Sequence, residues 1–517
     1  GVATMTTMRG RSLLPVLCAV LALAAAGCGG SDEAAPVAAT GTGAAELVVA
    51  DAIAYGSVDS DLESDAWNRV DALLKKFTFR EKLLASVRES LTDEGVNYET
   101  DVKPALGPEL SFAVLDLPSA GADDKPAFVA LHQPKDADRF EALLKKGDDP
   151  PAFRAVDDGW YVIGETRAIV DRALVPDDGD SLADSDRFDE GMGELPDDAL
   201  AKVYVNGEQL SRAAEALFRE SLGTTGQGQD APNPFRALEE RFGKTQWLVA
   251  GVSATENGLR VEGVGQSEDN KLALAPYAAE LPDEVPAGVV AYLSFNDLEQ
   301  ALQEYRRALD DIVPQGYNVE EQLGQFERAL GVSLERDVLP LFGGEGALYV
   351  QQATPFPAVT LVLEVDDEQK AVATVRKLAA AATGALGTTP RQVEIAGVSA
   401  TELPLGRFSL FYAGFDGKLV LTSGRDGIED LRGDGPKLVD DEAFERAREA
   451  AEMPDETSGF LYVDLEEGVP LVTSLVLLAD QEIPEDVRQN LEPLRSFVAY
   501  GTVDGDRSSF AAFLGLE

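Results

Sequence analysis

The chain has almost no thiol, almost no imidazole and too few cations to balance its acids. Of 517 residues, two are cysteine (Cys18 and Cys28) and one, His132, is histidine. Protein zinc sites draw on several Cys or His ligands, so zinc is not expected. A Ser-His-Asp or Cys-His arrangement would have to use His132, and no G-x-S-x-G elbow accompanies it. No catalytic residue is assigned, and no cofactor is expected. Lys and Arg number 44 against 92 Asp and Glu, a net charge of −48. Binding nucleic acid requires clustered Lys and Arg, so nucleic acid is not an expected partner. Acids in such excess read as a solvated surface that keeps the protein soluble. Long apolar runs are also missing. Beyond residue 27 the longest is 469–479, which contains Pro470. It falls short of the about 20 residues a spanning helix needs and is expected to be a buried helix.

What is present at the N-terminus reads as an export signal. Met8 is the expected start. Arg9 and Arg11 follow it, residues 13–26 are uncharged and mostly Leu, Val and Ala, and Ala25-Ala26-Gly27 leads to Cys28. A basic start, a short apolar core and small terminal residues define a secretory signal. With Cys28 the segment resembles the lipobox of bacterial lipoproteins, Ala25 standing where that motif usually has Leu. The resemblance implies that residues 1–27 are a signal peptide cut between Gly27 and Cys28, and that the Cys28 sulfur carries a diacylglycerol. Acyl chains bind a bilayer at about 0.8 kcal/mol per buried CH₂, and two or three anchor where one does not. The membrane partner is then reached through lipid on Cys28, on the extracytoplasmic face of a bacterial membrane. Residues 28–45 are mostly Gly, Ser, Ala, Thr and Pro, the composition of a flexible tether. With Cys18 removed and Cys28 acylated, no disulfide is expected in spite of an oxidising location.

Beyond the tether the chain repeats itself. Residues 95–109 (GVNYETDVKPALGPE) and 331–345 (GVSLERDVLPLFGGE) share eight identities at one offset of 236. Further blocks follow in the same order. Ala54-Tyr55 matches Ala291-Tyr292, and Asp158-Gly159 matches Asp416-Gly417. Phe188 and Tyr204-Val205 match Phe444 and Tyr462-Val463. Two tandem homologous halves are expected, 46–270 and 280–517.

Each half mixes helical and strand patterns. Residues 52–59 alternate like a strand. Trp67, Val70, Leu74 and Phe77 fall at helical spacing behind Ser64 or Asp65, and Leu83, Leu84, Val87 and Leu91 form a second stripe. Residues 112–115 and 128–131 suit strands, and Phe140, Leu143 and Leu144 form a helix face after Asp136. Hairpins are expected at Asn257-Gly258 and Asp504-Gly505. The predicted class is α+β: in each half a mostly antiparallel sheet with helices on one face. Residues 223–234, rich in Gly, Gln and Pro, read as a loop.

Few residues qualify as site candidates. His132 ends an apolar strand, and Leu363 holds the equivalent position in the second half; a satisfied ring at a strand end is expected. Asp177, Asp178 and Asp180 are weak calcium candidates, since calcium takes carboxylate oxygens, but they lack EF-hand spacing and also suit a solvated turn. Gly343-Gly344-Glu345-Gly346 precedes a strand rather than opening a helix, so it is a turn and not a phosphate loop.

The blocks 52–59, 95–109, 158–164 and 181–205 resemble a bacterial family catalogued as domain of unknown function 3352, whose members include exported and lipid-anchored proteins. The resemblance implies a fold and brings no catalytic residue. The expected function is a lipid-anchored cell-envelope protein that acts as a non-enzymatic binding or structural module, with a protein, peptide or apolar ligand between its halves. The alternatives are a carboxylate-dependent hydrolase of the envelope and a calcium-binding surface protein.

Overall fold

The computed structural model describes residues 43–517, apart from 94, 118–125, 147–149, 226–234, 237–238, 241–242, 271–273, 313–318, 354–355, 407 and 479–480. The expected signal peptide, Gly27, Cys28 and residues 226–234 of the expected loop lie outside the described residues. Among the described residues the first element is a 3-10 helix, Gly43–Leu47, in which Ala44 and Ala45 are buried; residues 43–45 of it belong to the range 28–45 read as tether. The helix Gly207–Thr225 likewise takes up the start of the expected loop.

The chain divides into two compact units, Gly1–Gln229 with Thr245–Gln266 and Asp230–Lys244 with Ser267–Glu517. The first is built on β1 (Ala54–Asp59), β2 (Glu109–Asp116), β3 (Ala127–His132), β4 (Ala152–Ala155), β5 (Tyr161–Gly164), β6 (Ala201–Asn206), β7 (Lys244–Thr255) and β8 (Gly258–Glu268). Registers order seven of these β4-β5-β3-β2-β1-β6-β7, each pair antiparallel. β8 follows β7 after the turn at Glu256-Asn257.

The second unit has β9 (Tyr277–Ala278), β10 (Val289–Asn296), β11 (Glu345–Gln351), β12 (Ala358–Glu364), β13 (Arg391–Ile395), β14 (Val398–Leu405), β15 (Phe408–Phe415), β16 (Lys418–Thr422), β17 (Glu456–Thr457), β18 (Gly459–Asp464), β19 (Leu494–Asp504) and β20 (Arg507–Leu516). Its sheet runs β13-β14-β15-β16-β12-β11-β10-β18-β19-β20, antiparallel throughout. β9 and β17 form a separate short ladder. The class is α+β.

Local chemistry accounts for the element ends. Ser64 Oγ accepts the Trp67 N–H at the start of helix Asp65–Leu74, and Asp136 accepts the Arg139 N–H ahead of Ala137–Leu144. The turns before β5 and β16 place Asp158 and Gly159 at φ +58° and +80°, and Asp416 and Gly417 at +50° and +76°. Successive left-handed residues favour Asp or Asn followed by Gly.

One face of each sheet carries the main core. In the first unit Tyr55, Leu131, Tyr204 and Trp247 are buried with Phe188 of helix Asp186–Met192. In the second, Tyr292, Tyr349 and Tyr462 are buried with Phe444 of helix Glu442–Ala450. The Phe188–Tyr204 rings meet edge to face at 5.1 Å and Phe444–Tyr462 at 5.0 Å, a geometry that adds to area burial.

Two expectations need correction. Helix Glu368–Leu386 packs through Ala371, Val375 and Ala379 on the opposite face of the second sheet, with Leu363, Leu403 and Leu419. Helices therefore flank both faces there, because both faces are apolar. The run 469–479 is helical as far as it is described, within Leu465–Leu478, but Val472 and Leu477 are each 56% exposed. That helix is not buried; it covers the sheet with one side only. Among the described residues no helix is long and apolar enough to cross a membrane.

Candidate functional site

Polar side chains gather at one end of each core face. In the first unit Ser57 pairs in register with Ser111 on one side and Lys202 on the other, so all three project from the core face. Tyr55 OH donates to Ser111 Oγ (2.9 Å), and Ser111 Oγ donates to the Glu109 carboxylate. Burial, and then the Glu109 charge, push the Tyr55 hydroxyl far above its ordinary value. Burial pushes the Lys202 ammonium down against the pull of Asp197, Asp198 and Glu109. Ser111 is fully buried, so no substrate can approach it. A donor chain ending on a carboxylate is what a satisfied core network looks like.

The second unit uses its equivalent acid differently. The Glu345 carboxylate accepts the N–H groups of Glu280 (2.8 Å) and Leu281 (3.0 Å). It thereby holds the first turn of the 3-10 helix Leu281–Asp283. Burial pushes its carboxyl up, although both N–H groups oppose this.

His132 is buried and held by backbone. Gly107 N–H donates to Nε2 (3.0 Å), and Nδ1 lies 2.7 Å from the Glu109 carbonyl oxygen. The first bond makes Nε2 an acceptor, so the proton sits on Nδ1 and donates to Glu109. Burial lowers the imidazole pKa. Both ring nitrogens are engaged, which leaves no lone pair aimed at a metal or a substrate.

The remaining predicted site residues converge on nothing. Asp177, Asp178 and Asp180 are exposed, in a segment where the Asp180 carbonyl accepts the Ala50 N–H (3.2 Å). Among the described residues no group of three or more His, Cys, Asp or Glu is placed to hold a metal ion. Gly343 and Gly344 form a bend leading into β11. Gly27 and Cys28 lie outside the described residues.

Apolar side chains are also gathered on the second face of each sheet. In the second unit the registers set Leu461, Leu293, Leu348, Leu361 and Leu421 side by side across β18, β10, β11, β12 and β16. The adjoining row holds Val463, Ala291, Val350 and Val359. Helix Glu368–Leu386 packs near Leu361 and Leu421. Leu293, Leu348 and Val359 stay 39%, 37% and 41% exposed, although they sit on central strands. In the first unit the corresponding face carries Val58, Phe112, Val114, Phe128, Val203 and Val205, all half-buried, with Leu248 40% exposed. Phe112 lies over Gly56 of the neighbouring strand and stacks on Phe128 at 6.0 Å.

Neither row was singled out from the sequence, although a signal existed. β12 (AVTLVLE) and β16 (KLVLT) do not alternate apolar with polar, and near-continuous apolar strands imply two covered faces.

Two crystal structures of TP0453 are similar to parts of the chain. Crystal form IV shows 13% identity and a TM-score of 0.24, with 46% of this chain and 93% of that one covered. Crystal form III shows 9% identity and a TM-score of 0.19, with 46% and 82% covered. No curated protein matches the chain. The family described as protein of unknown function (DUF3352) matches residues 140–515, and the chain belongs to that family.

Proposed function

We propose that this chain is a lipid-anchored, non-enzymatic module of the bacterial cell envelope, built from two copies of one α+β unit, that takes up an aliphatic ligand such as an acyl chain on the second face of its sheets. The leucine row of the second unit carries the proposal. An antiparallel sheet that shows one face to water normally alternates apolar with polar side chains. Here central strands show leucine on the side away from the main core, and more than a third of Leu293 and Leu348 remains in contact with solvent. Contiguous exposed apolar surface marks a binding region, and covering it gains about 25 cal/mol per Å². The row offers no hydrogen-bonding side chain, so the ligand chemistry it suits is a hydrocarbon. The polar clusters favour no enzyme reading: Ser111 is sealed in the core, and His132 is committed to backbone.

Titration with 11-(dansylamino)undecanoic acid tests this. The chain should bind the probe saturably with a blue-shifted emission. The double variant Leu293→Gln/Leu348→Gln should bind it about tenfold more weakly, a loss of about 1.4 kcal/mol. Absence of binding by the parent, or equal affinity in the variant, removes the reading.

A further inference from the structure

The second unit carries a group of large apolar side chains, at the end of β14 and the start of β15, that its own core does not use. Leu405 closes β14, Phe408 opens β15, and the two pair directly across the end of the hairpin, with Gly406 at φ +77° between them. The Phe408 ring meets that of Phe356, which precedes β12, at 5.0 Å. Phe408 is 52% exposed, Phe356 42%, Leu405 38% and Val359 41%. Leu405 and Phe408 lie on the same side of the sheet as the leucine row, because Thr401 pairs with Tyr412 and Tyr412 with Leu421.

Charge has been withdrawn from this place. Residues 346–363 contain no Asp, Glu, Lys or Arg, and residues 403–415 contain one charged residue, Arg407, in a chain that is 26% charged with a net charge of −48. The fold does not demand this. The segment between β2 and β3 of the first unit, which corresponds to the one bearing Phe356, holds Asp123, Asp124 and Lys125.

We propose that this end of the second unit docks on a lipid bilayer, with Phe356, Phe408 and Leu405 entering the boundary between headgroups and acyl chains. Phenylalanine and leucine side chains on membrane-surface elements enter that boundary, and they gain by leaving water there. Anionic headgroups repel an acidic body least where its acids are sparse, and the segments 346–363 and 403–415 contain no Asp or Glu. A stretch of 15 residues, the number from Cys28 to Thr42, reaches at most about 50 Å even when fully extended, so acylation of Cys28 would hold the body within that distance of the membrane. The inference uses the anchor and not the acyl-chain face, so the two proposals fail separately.

The test is flotation of residues 28–517 bearing Cys28→Ser, which lacks both the apolar segment 13–26 and any lipid on residue 28, with vesicles of phosphatidylcholine alone and of phosphatidylcholine with phosphatidylglycerol. The Cys28→Ser chain should float with both. Adding Phe356→Ser and Phe408→Ser should lower vesicle binding by about tenfold or more, as expected for two aromatic side chains returned to water. Dansyl fatty acid affinity and the far-UV circular dichroism should stay unchanged. No flotation of the Cys28→Ser chain, or undiminished flotation of the serine variant, overturns the proposal; so does an apolar patch that drives self-association in place of vesicle binding.

Discussion

Gly95 and Gly331 sit at φ +71° and +65°, each just after a helix, where only glycine adopts the left-handed conformation without strain. Asp101 Oδ2 accepts the Asn97 N–H at 2.8 Å, and Asp337 Oδ2 accepts the Ser333 N–H at 2.8 Å. Pro104 and Pro340 each lie in the first turn of a 3-10 helix. Val96 and Val332 are buried. These identities recur because each meets a backbone or packing requirement, and none needs a ligand to explain it. His132 is matched by Leu363 and not by a second histidine, and its burial has a measurable consequence. Its pKa is lowered in the folded state from the ordinary 6.5, so the unfolded chain binds the proton more readily. The stability it supports is complete above pH 6.5 and is lost as pH falls through the folded value. Chemical denaturation between pH 7 and pH 5 should show this loss in the parent. His132→Leu should be less stable at pH 7, because it removes the acceptor of the buried Gly107 N–H, a loss of about 1–3 kcal/mol. Its slope below pH 6.5 should be shallower by up to about 1.4 kcal/mol per pH unit. Parallel curves for the two proteins would sink the account.

At the scale of elements, much was legible. The cap at Ser64, the helix behind Asp136, the strands around 112–115 and 128–131, and the turns at Asn257 and Gly505 follow from side-chain spacing and turn chemistry. The second face was not legible, because periodicity reports whether a strand is apolar on one side or both, and not what covers the second side. The run 469–479 was misread for a related reason: an apolar helix is buried only if a neighbour lies on every side, and sequence does not count neighbours. The close fit of Phe112 over Gly56 gives a test at this scale. A Cβ at Gly56 would come within 2.1 Å of the Phe112 ring, and the ring is held by its stack on Phe128. Gly56→Val should cost about 1–3 kcal/mol through overpacking, read as a lower denaturation midpoint. Gly56→Val combined with Phe112→Leu should recover part of the loss; failure to recover any would show that the ring is not the obstacle.

For the whole molecule, the acidic excess and the absence of cysteine pairs mean that each unit is stabilised by burial, chiefly of the tyrosine and phenylalanine side chains on its first face. The proposed membrane attachment through Cys28 is tested apart from those cores. The expected outcome for the protein isolated from its native membrane is an N-terminal peptide beginning at Cys28, with the mass of a diacylglycerol and, in some bacteria, a further acyl group. An unmodified Cys28, or processing at another residue, would overturn the lipid anchor proposed above and leave the account of the fold intact.

The glycine and phenylalanine facing each other on the second faces do not occupy equivalent rows. In the first unit Gly56 faces Phe112 while Val58 faces Leu110; in the second, Leu293 faces Leu348 while Phe295 faces Gly346. Bulk is conserved by the couple and not by the single site. Recombining the strands would therefore fail in opposite ways. β1 beside β11 would set Gly56 against Leu348 and Val58 against Gly346, leaving two hollows. β10 beside β2 would set Leu293 against Phe112 and Phe295 against Leu110, crowding both positions. A chain in which strands are exchanged between the two units keeps this packing only if β1 stays with β2 and β10 with β11.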